Sequence, residues 1–205
     1  MPSLQANLDF IAFGPNQSWI ALFKDDSIHS HGIKWSASIP QKIFNLLKGR
    51  YSPKQNNLPI VLLYYDQDTF VTLFSDGSFR YTGSDLEFKE LLEDAIGIPS
   101  HLAISFSGSK YIMDRGGFNC WKNIPSEMQQ LIQDKNDCNV LWTAFGNRED
   151  SYYIKFEDGN HFWNNLPFKL EDILQNSIND IKRVCLSQFD NRFLVIYQDD
   201  SFEHY

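Results

Sequence analysis

The chain has 205 residues, a net charge of −8, and side chains that are 42% apolar and 15% aromatic. This length fits one domain with a substantial core, and the acid excess argues against nucleic acid or an anionic membrane as partner, since both favour clustered Lys and Arg. No stretch approaches the roughly 18 apolar residues of a membrane span, and residues 1–9 lack the basic start and apolar run of a secretory leader. The expectation is therefore a soluble, cytoplasmic protein, with a secreted form that has lost its leader as the alternative.

In chain order, the first apolar run is Phe10–Phe13, followed by the loop Gly14-Pro15-Asn16-Gln17 and a second run, Trp19–Phe23. A turn at Asp25-Asp26 leads to a more polar third strand, Ser27–His31, in an enlarged region that reaches Ser38. Ile43, Leu46 and Leu47 then fall at i, i+3 and i+4, the stripe of an amphipathic helix. After a linker at Lys48–Asn57 the order repeats. The second unit has Ile60–Tyr64, Phe70–Phe74, the turn Asp76-Gly77, Ser78–Tyr81 and the stripe Phe88/Leu91/Leu92. The third has Leu102–Phe106, Tyr111–Met113, Gly116-Gly117, Phe118–Trp121 and Met128/Leu131/Ile132. The fourth has Val140–Phe145, Tyr152–Phe156, Asp158-Gly159, Asn160–Trp163 and Leu170/Ile173/Leu174. The fifth runs through Val184–Leu186, Phe193–Tyr197, Asp199-Asp200 and Ser201–His204, and then stops.

Aromatic and β-branched runs between turn residues read as strands, Asp-Gly supplies the positive φ of tight hairpins, and Pro40, Pro125 and Pro167 suit first helical turns. The units span about 8–57, 58–98, 99–136, 137–178 and 179–205 of one repeat domain, 1–205. A unit repeated in this way hides its apolar face against its neighbours. The fold class expected is mainly β with short helices: five βββ(α) units in a closed, five-bladed β-propeller-like ring. An open arc and two α+β lobes are the alternatives. Residues 1–9 are expected to pair with the last unit.

The stretches Phe13-Gly14-Pro15-Asn16-Gln17-Ser18-Trp19, Phe74-Ser75-Asp76-Gly77-Ser78-Phe79 and Trp163-Asn164-Asn165-Leu166-Pro167 resemble the FGPxxSW…SDGSxxW…LPxxL repeats of uncharacterised eukaryotic proteins. That resemblance implies a repeat module and brings no catalytic residues. The general plan also resembles the small five-bladed propeller lectins of the tachylectin-2 type, whose blades have four strands and no helix.

Tyr81, Trp121 and Trp163 stand five residues after the turn, and Trp35 joins them once the first-unit insertion is allowed for. Such rings can stack on a sugar or a peptide side chain, with Arg80, Asn119 and Asn164 giving direction; alternatively they plug the gap between a sheet and its helix, which is the favoured role. His29 and His31 share one strand face and are weak metal candidates, but the histidines do not occupy one repeat position. Asp66-Gln67-Asp68 starts like a calcium loop without its glycine or final glutamate, and the other turn aspartates read as turn formers. Ser107-Gly108-Ser109-Lys110 has the SxxK spacing without its partner motifs. Cys120, Cys138 and Cys185 read as free buried thiols, and Asn16-Gln17-Ser18 fits a glycosylation acceptor.

No cofactor is expected. Repetition supplies several similar pockets rather than an asymmetric reactive cluster, so the expected function is a non-catalytic binding module for a protein or peptide. A carbohydrate-binding lectin is the alternative. An enzyme centred on His29, His31, Arg50 and Tyr51 of the irregular first unit is the third reading.

Overall fold

A computed structural model describes residues 7–205 apart from 26–29, 51–58, 65–68, 75, 95–98, 100, 106–108, 115–118, 136–137 and 178–179. The elements are β1 (Asn7–Phe13), β2 (Trp19–Asp25), β3 (Ser30–Trp35), α1 (Gln41–Arg50), β4 (Pro59–Tyr64), β5 (Phe70–Phe74), β6 (Phe79–Thr82), α2 (Leu86–Glu93), β7 (His101–Ile104), β8 (Tyr111–Asp114), β9 (Asn119–Lys122), α3 (Ser126–Asp134), β10 (Val140–Phe145), β11 (Tyr152–Phe156), β12 (His161–Asn164), α4 (Phe168–Ser177), β13 (Ile181–Leu186), β14 (Phe193–Tyr197) and β15 (Phe202–His204). They form five separate three-stranded antiparallel sheets, each a meander of consecutive strands, with one helix after each of the first four.

The hairpins follow from local chemistry. Asp76, Asp158 and Asp199 each accept the backbone N–H two residues on through Oδ1, at 2.8–2.9 Å, while Gly77 and Gly159 take φ of 81° and 85°. The turn-former reading therefore holds at these three positions; Asp26 and Gly116-Gly117 lie outside the described residues. Four first strands carry a register shift near their start, between Leu8 and Phe10, Pro59 and Val61, Val140 and Trp142, and Ile181 and Arg183. Such a bulge re-aims the side chains beside it; Leu141, on the bulge of β10, is turned outward and 49% exposed.

Each helix buries two apolar residues four apart: Ile43/Leu47, Phe88/Leu92, Met128/Ile132 and Leu170/Leu174. The i+3 members of the stripes, Leu46, Leu91, Leu131 and Ile173, lie partly buried against the same cores. With eight to ten residues these helices are too short to persist alone, and each is wedged between its own sheet and the next. Phe88 and Leu92 of α2, for example, pack on Val71 and Leu73 of β5 and on Leu102, Ile104, Tyr111 and Met113 of the following sheet. The α4 pair likewise packs on Tyr153 of its own unit and on Val184, Phe193 and Val195 of the fifth. Every core is thus shared by neighbours, the energetic basis of the repeat.

The first strands of successive sheets also touch, β1 with β4, β4 with β7, β7 with β10 and β10 with β13, and β13 and β14 contact β1. Cys185, Leu194 and Ile196 of the fifth sheet share a core with Phe10, Ala12 and Ile20 of the first. Arg183 of β13 forms an ion pair with Asp9 of β1 and donates to its backbone carbonyl at 2.7 Å.

Two expectations are corrected. The third strand of the first unit runs beyond His31 to Trp35, because Trp35 pairs with Ile20 in a register that runs back to Asp25 opposite Ser30; residues 27–29 lie outside the described residues. Asn7 and Leu8 belong to β1 and pair with β2, while among the described residues the fifth sheet consists of β13, β14 and β15; residues 1–6 lie outside the described residues.

The Phe-Gly-Pro-x-x-Ser-Trp motif is structural. The Ser18 hydroxyl donates to the Pro15 carbonyl at 2.6 Å and accepts from the buried Tyr64 hydroxyl at 3.0 Å, and a Cβ at Gly14 would stand 2.0 Å from Tyr64 Cε2. Since Tyr64 is only 1% exposed, its ring has nowhere to retreat. Gly14→Ala should therefore cost about 1–3 kcal/mol, read from urea midpoints. Gly32→Ala, whose Cβ would meet nothing closer than Phe23 Cβ at 3.7 Å, should stay within about 0.5 kcal/mol.

Candidate functional site

The candidate rings occupy one structural position. Strand register places Trp35 opposite Ile20, Tyr81 opposite Val71, Trp121 opposite Ile112 and Trp163 opposite Tyr153, and His204 stands opposite Leu194 in the fifth sheet. All four rings are half-buried. Tyr81 meets Phe88 of α2 edge-on at 5.1 Å and accepts the Asp85 N–H at 3.3 Å, while Trp35 meets Phe44 of α1 at 5.8 Å. Trp121 and Trp163 pack into the cores built around α3 and α4. An aromatic residue stands here in each unit whose third strand leads into a helix, and the unit without one has His204. Each ring is distributed to its own unit, and Arg80 is exposed beside Tyr81. Asn164 donates to the Asp150 carbonyl at 3.3 Å, and Asn119 Oδ1 is buried without a partner among the described residues.

The first strands meet around a narrow cavity lined by residues of all five, among them Phe10, Leu63, Ala103, Trp142 and Cys185. Its volume of about 40 Å³ admits a few waters and no larger ligand. Beside it, the residues after the bulges, Phe10, Trp142 and Arg183, align through the repeat with Val61 and His101. Trp142 meets Phe10 at 5.9 Å and His101 at 5.1 Å, the Arg183 guanidinium stacks on it at 4.8 Å, and its Nε1 donates to the Val184 carbonyl at 2.7 Å. His101 is 2% exposed, and neither of its ring nitrogens has a partner among the described residues. Burial, and secondarily the Arg183 charge, lower its pKa to about 3. Burial pushes the Cys185 thiol up to about 11, which leaves it protonated and unreactive at neutral pH.

A roomier pocket of about 300 Å³ opens between the loops that join β7 to β8 and β10 to β11. Ser105, Lys110, Arg148 and Ser151 line it, and Phe145 and Gln188 border both this pocket and the narrow cavity. Lys110 donates to the Glu149 carbonyl, Arg148 to Asn165 Oδ1, and Gln188 Nε2 to the Ile104 carbonyl at 2.7 Å. Gln188 Oε1 and the hydroxyl of Ser151, a residue 2% exposed, are buried with no partner among the described residues. Buried oxygens of this kind carry an unmet demand for a donor.

No family model and no curated protein matches the chain. Among solved structures, the crystal structure of the Cps50 (Swd1) β-propeller domain of Myceliophteria thermophila is similar at 10% identity, over 98% of this chain and 71% of that one, with a TM-score of 0.37.

His29, Tyr51, Asp66-Gln67-Asp68 and Ser107-Gly108 fall outside the described residues, as do the side chains of His31 and Arg50. Among the described residues no three of His, Cys, Asp and Glu group as metal ligands, and no helix is long and apolar enough to cross a membrane. The three cysteines are free, but only Cys185 is fully buried; Cys120 and Cys138 are half-buried. His161, on β12, bonds the Tyr153 hydroxyl, and burial followed by the nearby Lys155 charge lowers its pKa to about 4. Sequence reasoning missed His101, Trp142 and Arg183. Their signal is a recurrence one repeat apart in the first strands, with a polar or bulky group at a place where Phe10 and Val61 stand in the earlier units.

Proposed function

We propose that the five sheets close into a propeller-like ring and that the protein is a non-catalytic module that recognises a protein or peptide between its repeats. The cavity lined by all five first strands, together with the Asp9–Arg183 pair between β1 and β13, supports closure. The observation that carries the binding reading is the polar pocket between the loops of the third and fourth units, bordered by the Phe145 ring and by two unsatisfied buried oxygens. An extended peptide fits the exposed lining above those buried groups, its backbone bonding the loop that carries Asn147 and Arg148. Arg148 and Lys110 at the rim suit a neighbouring carboxylate.

A carbohydrate lectin is the second reading, favoured by the half-exposed edges of Tyr81, Trp121, Trp163 and Trp35 and by the polar Arg80, Asn119 and Asn164 near them. Panning a random peptide library on the full chain, alongside a glycan array, separates the two. The expected result is an enriched peptide of micromolar affinity that Arg148→Glu weakens at least tenfold without lowering the melting temperature, and a silent array. An array signal lost in Trp163→Ala, with the fold intact, would transfer the function to the rings. Turnover abolished by His31→Ala would make the protein an enzyme.

A further inference from the structure

Two residues, Phe145 and Gln188, line both the narrow cavity and the loop pocket. Gln188 comes from the fifth unit, and its Nε2 donates to the carbonyl of Ile104, in the third, at 2.7 Å. A carbonyl only accepts, so this bond fixes which end of the carboxamide is the nitrogen. The Oε1 end is then buried with no partner among the described residues. The side chain is thus held by one hydrogen bond and opposed by one unmet acceptor, a balance under which its exchange for an apolar group costs little. The backbone beneath it, by contrast, is pinned. Ser187 Oγ accepts the N–H groups of Phe189 and Asp190 at 3.2 and 3.3 Å, and the Asp190 carboxylate accepts from the backbone N–H and Nε of Arg192 at 3.1 and 2.8 Å. Asn147 Nδ2 donates to Asn191 Oδ1 at 3.2 Å, which ties the loops of the fourth and fifth units together. The part free to move is therefore the Gln188 side chain and not its loop.

The narrow cavity behind Gln188 is walled by apolar groups, among them Ala103, Trp142, Phe145, Leu186 and Phe189. At about 40 Å³ it takes no side chain, whereas the loop pocket in front of it holds about 300 Å³. We infer that the Gln188 side chain is a displaceable partition between the two, and that the loop pocket selects peptides by a flexible apolar anchor, methionine before leucine, which enters the space Gln188 gives up. Methionine has the length of glutamine without its polar end, and its thioether adapts to irregular gaps beside aromatic rings such as Phe145 and Phe189. Displaced into the loop pocket, the carboxamide meets water with both of its ends. Arg148 and Lys110 at the rim set a carboxylate close to the anchor. This selection rests on the peptide reading of the loop pocket and adds to it the chemistry of the anchor.

The probe is a series of capped tetrapeptides, Asp-Gly-X-Gly with X as Met, Leu, Val or Gly, titrated into the isotopically labelled full chain and followed by NMR. The Met peptide should bind at least tenfold more tightly than the Gly peptide. It should also shift the Trp142 indole signal and the amides of Ala103 and Ala144, which line the narrow cavity. Gln188→Ala should tighten the Met peptide and leave the Gly peptide unchanged. Gln188→Met fills the space with an apolar group of its own, so it should raise the melting temperature and erase the difference between the Met and Gly peptides. The series on the unaltered chain reads the inference even if a variant fails to fold. Equal affinity for the Met and Gly peptides, with shifts confined to Asn147, Arg148 and Glu149, would overturn the inference and leave the peptide reading standing. A Met preference that survives Gln188→Met would overturn it too, and silence from every peptide at millimolar concentration would remove both readings.

Discussion

Trp142→Ala should destabilise the protein by about 3–5 kcal/mol, the range for deleting a large packed ring. The ring is where strands of four units converge: on β10, it touches Phe10 of β1, His101 of β7 and Arg183 of β13. Its removal opens a void that no single neighbour can fill and leaves the Val184 carbonyl without the indole donor. Trp142→Phe keeps most of the ring and loses that hydrogen bond, so it should cost about 1 kcal/mol. Urea unfolding followed by circular dichroism reads both, and in a chain of this length each kcal/mol corresponds to roughly 2–4 °C of melting temperature. If Trp142→Ala lost less than about 1 kcal/mol, the convergence of first strands on this ring would have no energetic meaning.

The second large effect is acid sensitivity. His101 is held neutral by burial, with a pKa of about 3 against an ordinary 6.5. Between those values the unfolded chain binds a proton that the folded chain refuses, so stability rises with pH through that window. The contribution is complete above about pH 6.5 and is lost as pH falls towards 3. Between pH 7 and 4.5 the loss should be about 2–3 kcal/mol from this residue. Half-buried His161, lowered to about 4, acts in the same direction with a smaller effect because solvent screens it. His101→Leu, which keeps the bulk against Trp142, should flatten most of the pH dependence of the urea midpoint. An unchanged slope would place the acid-sensitive group elsewhere.

The repeat made most of the architecture readable before any coordinates. The strands Phe70–Phe74, Val140–Phe145, Tyr152–Phe156 and Phe193–Tyr197 are found where their apolar runs place them, because aromatic and β-branched residues between turn formers leave little freedom of assignment. The helix stripes were equally legible, since the i, i+4 pairs Phe88/Leu92 and Leu170/Leu174 are the ones fully buried. Where local rules compete, legibility ended. The first-unit third strand reaches further than its polar stretch Ser27–His31 suggests, because Trp35 pairs with Ile20 and packs on the α1 core. The bulges carry no composition signal; a strand reading of Val140-Leu141-Trp142 alternates faces, yet the extra residue lets Trp142 point to the shared cavity and turns Leu141 out. The candidate rings are legible as a family, and their place just before each helix already favours a role between the sheet and that helix. The pocket at Ser105, Arg148 and Gln188 draws its wall from three units, and no spacing along the chain encodes that convergence.

The Asp9–Arg183 pair joins residues 174 positions apart, whereas each neighbouring junction links segments separated by roughly one repeat. Loop-closure entropy grows with the logarithm of the separation, so this seam costs about 1 kcal/mol more to assemble than any other junction. Among the described residues it also holds no helix of the kind wedged into the neighbouring junctions. In refolding, contacts with short sequence separation should therefore form early and the seam last. In the native ensemble the seam is the place to open first, so amide exchange at β1 and β13 should outpace exchange at β8 and β11.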